Sequence, residues 1–425
     1  MPFSTLGLTP ALTTPLARLG YTRPTPVQAA SIPVIMEGHD LLGRAQTGTG
    51  KTAAFGLPMI DRLLVRSARP ATTARKPRGL VLVPTRELAS QVHASLLEYG
   101  APVKLRVTAI YGGVGMRPQV LALQRGSDIV VATPGRLLDH VQQRTIDLSG
   151  VEILTLDEAD RMLDMGFLPP LRQLLRLIPA KRQTLLFSAT FSPEVVHLSK
   201  DFTRDAKRVD VSTGDVVATT VTHRVYPVGD GRKNELLAHV LKQPPVGQAL
   251  VFCKTKRGSN RVGEYLEGAG VNAAVIHGNK SQNARERALA DFKTGRVAVL
   301  VATDIAARGL DIAELPLVVN YDLPLVAADY VHRVGRTGRA GLAGRAVSLL
   351  TGADRGLLRD IQKLLPETIE EVTVDGFTAS RPGAPRPGGQ RPPARHGDRR
   401  ALPERPRRFT GRGSSRSGRR PAAAR

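Results

Sequence analysis

Between about residue 25 and residue 350, short and almost uninterrupted apolar runs alternate with longer stretches of helical period. The runs are LVLVP (80–84), DIVVAT (128–133), VEILTLDE (151–158), TLLFSAT (184–190), QALVFC (248–253), AAVIH (273–277), VAVLVAT (297–303) and LPLVVN (315–320). Runs apolar on both faces predict strands covered on both faces, and strands alternating with helices predict parallel sheets. The stretches ELASQVHASLLEY (87–99) and RERALADF (285–292) carry the 3.6-residue period of packed helices. A segment of low hydrophobicity, STGDVVATT (212–220), parts the strands into two groups. The fold class is therefore α/β, with two domains joined by a short linker. The irregular basic stretch RSARPATTARKPRG (66–79) predicts a surface loop within the first of them.

Composition agrees with that outline. The 425 residues are 41% hydrophobic, enough for two or three buried cores. A single cysteine, Cys253, excludes a disulfide framework and a cysteine-based zinc cluster; its thiol is expected to pack inertly in a strand. No apolar run approaches the ~18 residues of a membrane span. The opening MPFSTLGLTP lacks the basic and then apolar character of a secretory leader. A soluble protein of a reducing, cytoplasmic compartment is expected.

Charge changes the picture more. The net charge of +24 divides evenly, because residues 376–425 hold 14 arginines against only Asp398 and Glu404, or +12. That segment is rich in Pro, Gly and Ser and has Phe377 and Phe409 as its aromatics. It cannot bury enough surface to offset ordering, so a disordered basic tail is expected, suited to sequence-independent phosphate binding.

The candidate chemistry follows the apolar runs. Pro84-Thr85-Arg86, Thr133-Pro134-Gly135-Arg136, Asp157-Glu158, Ser188-Ala189-Thr190 and Thr303-Asp304 all stand at run ends. In open parallel sheets that edge is where ligands bind. Ala45-Gln46-Thr47-Gly48-Thr49-Gly50-Lys51-Thr52 follows Leu41-Leu42 and opens a helical stretch. Its glycines let backbone N–H groups face a phosphate, Lys51 reaches the outer phosphates and the Thr52 hydroxyl suits Mg2+. Only Ala45 departs from the strict pattern, which begins with Gly. Asp157 is the matching metal-side acid, and Glu158 the group to orient or deprotonate an attacking water. Water as nucleophile makes this an NTPase. Thr25-Pro26-Val27-Gln28 has the pattern of a helix capping box and, second to that, of a base-recognising segment. His332-Arg333-Val334-Gly335-Arg336-Thr337-Gly338-Arg339 sets three arginines at spacing three, suited to completing a phosphate site from the second domain.

Asp157-Glu158-Ala159-Asp160, the phosphate loop, Ser188-Ala189-Thr190 and the His332–Arg339 run together resemble a DEAD-box ATP-dependent RNA helicase of superfamily 2. LDEADRMLDMGF (156–167), IHGNKSQ (276–282) and VATDIAARGLDI (301–312) are similar to the bacterial RhlE-type subfamily. The resemblance covers about residues 1–375, and Ala45 is that family's own form of the loop. It implies two tandem RecA-like domains, 1–212 and 221–375, with 213–220 as linker and 376–425 as tail. They would close on ATP, Mg2+ and single-stranded or short duplex RNA.

Roles follow by matching position. Phe3 and Gln28 recognise adenine; Gln46, Thr47, Gly48, Thr49, Gly50, Lys51 and Thr52 hold phosphates, with Thr52 and Asp157 at the metal. Glu158 serves the water. Asp160, Ser188, Thr190 and His332 couple hydrolysis to unwinding. Gly309 and Asp311 line the nucleotide, and Arg336 and Arg339 are arginine fingers. RNA contacts are implied at Pro84, Thr85, Arg86, Gly113, Thr133, Pro134, Gly135 and Arg136, and at Thr255, Gln282, Arg285, Thr303 and Arg308. They are mostly to the sugar–phosphate backbone, which predicts little sequence preference.

The implied product is local, non-processive unwinding of short duplexes or ribonucleoprotein remodelling, by a monomer working with ribosome-assembly or RNA-turnover proteins. A reading from another class is an ATP-independent RNA-binding or annealing protein driven by the tail. Intact Lys51, Glu158 and Arg339 argue against it. Truncation after Asp375 is expected to leave basal ATPase intact and to weaken RNA binding. With half of the arginines engaged, the logarithmic salt slope of RNA affinity falls by about 5. An unaltered slope would make the tail a solubilising segment.

Overall fold

A computed structural model describes residues 2–45, 48–65, 76–211, 221–229, 231–243, 247–307, 310, 312, 315–338, 343–365 and 367–377. Gln46, Thr47, Arg308, Gly309, Asp311, Arg339, the linker 213–220, most of the 66–79 loop and the tail beyond residue 377 lie outside the described residues.

The strands assemble into two sheets of seven, every pairing parallel. The first contains β1 (Leu41–Arg44), β2 (Gly79–Leu82), β3 (Val107–Ile110), β4 (Ile129–Ala132), β5 (Ile153–Leu156), β6 (Gln183–Ser188) and β7 (Lys207–Asp210). Their order is β3-β4-β2-β5-β6-β1-β7. The second contains β8 (Val221–Pro227), β9 (Ala249–Cys253), β10 (Ala273–Ile276), β11 (Val299–Thr303), β12 (Leu317–Asn320), β13 (Gly344–Leu350) and β14 (Glu370–Glu371). Their order is β10-β11-β9-β12-β13-β8-β14. Adding seven to each strand number of the first sheet reproduces the second. The chain is a structural duplication of one RecA-like unit, with helices covering both faces of each sheet.

Burial explains why the central strands are apolar throughout. Along β2, Val81 packs into one face of the first sheet while Leu80 and Leu82 pack into the other. In β9, Ala249, Val251 and Cys253 face one core while Leu250 and Phe252 face the opposite one. Cys253 is thus a packed side chain, its thiol pushed well up by burial and by nearby Asp322.

The helices start where local chemistry directs them. Thr85 accepts from the Leu88 N–H at 3.3 Å to cap the helix Arg86–Gly100, and Thr255 accepts from Gly258 N–H at 3.0 Å to cap Lys256–Gly268. The register of β1 against β6 is tight: a Cβ on Gly43 would lie 2.8 Å from two atoms of the Phe187 ring. Gly43→Ala is therefore expected to lower stability by about 1–3 kcal/mol through forced repacking. Urea unfolding with an unshifted midpoint would contradict this.

Candidate functional site

Because all strands of a sheet run the same way, the residues that follow them share one edge. In the first sheet that edge carries the phosphate loop, Pro84–Arg86, Thr133–Arg136, Asp157–Glu158 and Ser188–Thr190.

Gly48 and Gly50 of the loop have φ of +84° and +89°, a backbone open to glycine at little cost. A Cβ on Gly50 would also collide with the Gln28 carboxamide. Gln28 does two things at once. Its Oε1 accepts from the Thr25 N–H at 2.9 Å, one half of a helix cap, and its Nε2 donates to the Gly50 carbonyl at 3.1 Å. The capping reading is thus seen in the structure, and the same side chain also ties the cap to the phosphate loop.

Lys51 opens the helix Lys51–Val65 and is 6% exposed. Its ammonium lies 3.9 Å from Asp157 Oδ1, with no hydrogen-bond partner among the described residues. Asp157 is also buried, and burial pushes its carboxyl up to about 6, with Lys51 pulling the other way. The Glu158 N–H donates to Asp157 Oδ1 at 3.0 Å. Glu158 itself has φ +56°, a left-handed backbone costly for a residue with a Cβ, and its carboxylate pairs with Arg161.

Among the described residues no group of three or more His, Cys, Asp or Glu could cage a metal. The buried Lys51 ammonium and the Asp157 carboxylate beside it fit a metal-bound polyphosphate.

Asp160 ties this site to β6. Its Oδ2 accepts from the N–H groups of Ala189 and Thr190 at 3.1 and 3.0 Å and from the Thr190 hydroxyl at 3.1 Å. The Ser188 hydroxyl accepts from the Asp160 N–H at 3.3 Å and donates to the Thr190 carbonyl at 2.7 Å. Burial opposes ionisation of Asp160, but Lys51 and His332 with these donors hold its carboxyl below the usual range. His332 acts from the second sheet's side. It borders a small pocket with Arg161, Asp304, Asp329 and Arg336.

The arginines of the His332–Arg339 run divide their work. Arg333 is spent structurally: it grips both oxygens of Asp304 at 2.6 and 2.7 Å, donates to Asn320 Oδ1 and the Asp322 carbonyl, and lies over Phe252. Arg336 is buried and donates to the Leu310 carbonyl at 2.7 Å.

The expected RNA positions fall into two groups. In the first half, the Arg86 guanidinium lies hard against Gly113, which has φ +83°, and Arg136 Nη1 donates to the Val114 carbonyl at 3.0 Å. Pro134 and Gly135 open the helix Pro134–Gln142, with open space at Gly135. In the second half, Gln282 and Arg285 open the helix Gln282–Lys293, and Thr303 ends β11. Arg285 bridges the halves: its Nη2 is 2.8 Å from Glu87 Oε1, both side chains being buried. Its Nε has no hydrogen-bond partner among the described residues.

Glu87 was not singled out by the sequence, since a helix-opening acid is common on a solvated face. Arg161 was likewise missed. Phe3 is buried, with its ring edge-on to Tyr21, whose hydroxyl meets that of Tyr99 at 2.6 Å. Tyr21 had no signal beyond its proximity to Gln28.

A DEAD/DEAH box helicase family profile matches residues 25–198, and the helicase conserved C-terminal domain matches residues 232–341. The chain is 43% identical over 383 residues to the ATP-dependent RNA helicase RhlB of Xanthomonas campestris, spanning 89% of this chain and 67% of that protein. The chain belongs to the DEAD-box ATP-dependent RNA helicases. It is also 40% identical to the ATP-dependent RNA helicase DeaD of Buchnera aphidicola, over 88% of this helicase and 61% of that one. Among solved structures it is similar to S. cerevisiae Dbp5 bound to RNA and ADP BeF3, with a TM-score of 0.79, 30% identity, and coverage of 88% and 96% of the two chains.

No helix among the described residues is long and apolar enough to cross a membrane. Removing one partner of the buried Glu87–Arg285 pair leaves a desolvated charge, a loss of about 3–5 kcal/mol. Glu87→Gln is therefore expected to loosen the two halves and raise the radius of gyration in X-ray scattering. An unchanged radius would show that the pair does not hold them.

Proposed function

We propose that this helicase hydrolyses ATP at the carboxyl edge of the first sheet and uses the second half to make hydrolysis depend on bound RNA. The observation that supports it is the buried Lys51–Asp157–Glu158 group, linked through Asp160 to Ser188, Thr190 and the charge of His332. The units doing this are residues 1–212 and 221–375, joined by 213–220.

In this reading Gln28 receives the adenine edge while staying tied to Gly50, and Phe3 acts through the Tyr21 ring that it supports. Backbone N–H groups of Gln46–Gly50 and the Lys51 ammonium hold the phosphates, aided by the helix N-terminus. Thr52 and Asp157 are the residues that would hold Mg2+, which when bound neutralises developing phosphate charge. Glu158 orients the attacking water and takes its proton. Gly309 and Asp311 approach the nucleotide from the second half, and Arg336 and Arg339 are the fingers. In the present arrangement Arg336 rests on the Leu310 carbonyl, and turning from it to the phosphate is a step of closure.

Pro84, Thr85, Arg86, Gly113 and Thr133–Arg136 with Thr255, Gln282, Arg285, Thr303 and Arg308 grip the RNA backbone. That grip excludes little by sequence and bends one strand of a short duplex. We assign the chain to the cytoplasm as a monomer. Its stretches LDEADRMLDMGF and IHGNKSQ support an RhlE-type grouping, although the relatives compared above carry the names RhlB and DeaD.

Glu158→Gln keeps the shape and removes the base. RNA-stimulated ATP turnover is expected to fall by about 100-fold or more, with ATP affinity retained. Turnover within twofold of the unsubstituted protein would overturn the assignment.

A further inference from the structure

The loop Tyr111–Val114 carries Gly113 and joins β3 to the helix Met116–Gln124. Two adjacent glycines make it the least constrained of the segments proposed to touch RNA, and ordering it during binding would cost affinity. Three side chains hold it. Arg86 lies against Gly113, Arg136 donates to the Val114 carbonyl, and Gln119 Nε2 donates to the Tyr111 carbonyl at 2.9 Å. Arg86 and Arg136 belong to the proposed RNA grip. Gln119 does not; it is buried behind the loop.

Gln119 is itself held. His140 is fully buried on the helix Pro134–Gln142, one turn beyond Arg136, and its Nε2 lies 3.0 Å from Gln119 Oε1. The direction of this bond is fixed by elimination. The Tyr111 carbonyl can only accept, so the Gln119 atom facing it is the amide nitrogen and the oxygen faces His140. His140 Nε2 must then donate, while Nδ1, 2.8 Å from the Thr145 hydroxyl, shares that hydroxyl's one proton with the His140 carbonyl at 3.0 Å. Burial, together with the nearby Arg136 charge, lowers the basicity of this ring, in keeping with a neutral imidazole; Asp139 pulls weakly the other way. On the far side, the Tyr111 hydroxyl reaches Ser90 of the helix Arg86–Gly100 at 3.4 Å.

We propose that His140 and Gln119 form a buried relay that sets the spacing of three RNA-gripping segments: Thr85–Arg86, the Gly113 loop and Thr133–Arg136. Both are positioning residues, touching neither nucleotide nor RNA. Their work is done before RNA arrives, by keeping the Gly112–Gly113 backbone in its binding shape. The inference rests on the RNA-gripping roles proposed above.

The test uses the full chain, poly(U) RNA and two variants. Gln119→Glu keeps the size and the acceptor for His140 but cannot donate to the Tyr111 carbonyl. His140→Phe fills the ring's volume and frees the Gln119 amide to turn. With folding checked by thermal melting, each is expected to raise the RNA concentration for half-maximal ATPase about tenfold, the scale of one net hydrogen bond. Turnover at saturating RNA and the KM for ATP stay within about twofold, because the nucleotide side is untouched. A folded Gln119→Glu protein with unmoved half-saturation overturns the relay, and so does an equal loss in KM for ATP and in turnover. If ATPase of the unsubstituted protein is not stimulated by RNA, the underlying reading fails and the relay fails with it.

Discussion

An ammonium and a carboxylate held 3.9 Å apart, both almost without water, form the constraint on which this structure turns. Neither group is well served in the folded chain. Among the described residues nothing hydrogen-bonds the Lys51 ammonium, and burial pushes the Asp157 carboxyl up to about 6. Such a pair persists because the sheet around it is rigid: β5 delivers Asp157, the turn after β1 delivers Lys51, and two apolar cores fix those strands from both sides. What the polypeptide leaves unsatisfied, a polyphosphate with its cation can satisfy. Binding energy is thus stored as desolvation already suffered during folding.

The parallel architecture was readable because the central strands are apolar on both faces. The edge strand β10 was readable too, but the edge strands β3, β7 and β14 were not. In β7 only Val209 is buried, and β3 alternates buried and half-buried positions. A sheet-edge segment has one covered side, and a four-residue alternation is too short to stand out from a loop. The strand β13 is central yet was passed over, because Gly344, Arg345 and Ser348 break its apolar run. Ser348 lies fully buried and accepts from Asn320 at 3.2 Å, a polar contact invisible to a hydrophobicity pattern.

The site shows the same division. Residues adjacent in sequence, such as Gly48–Thr52 and Asp157–Asp160, announce themselves as motifs. Residues that matter through long-range contact do not: Glu87 and Arg285 are almost two hundred positions apart, and only the tertiary structure pairs them. His140 gave no signal either, since a histidine within a helix is ordinarily a core residue.

The duplication of strand order has a further consequence. The helix after β8 begins at Lys233 as the helix after the phosphate loop begins at Lys51, and a glycine of positive φ comes before each, Gly231 (+88°) two residues before Lys233 and Gly50 (+89°) directly before Lys51. The Asp322 N–H bonds the carbonyl of Phe252 in β9, just as the Asp157 N–H bonds Leu82 in β2. Yet Lys233 is fully engaged, with the Tyr321 carbonyl at 2.9 Å and carboxylates of Asp322 and Asp354 at 3.4 and 3.3 Å. The second unit carries the outline of the same phosphate seat, with its own acids sitting in it. Two halves that share one wiring diagram thereby become unequal: one is left hungry for a ligand and the other is already fed. Lys233 thereby fastens Tyr321, Asp322 and Asp354 together within the second half, as a rivet does.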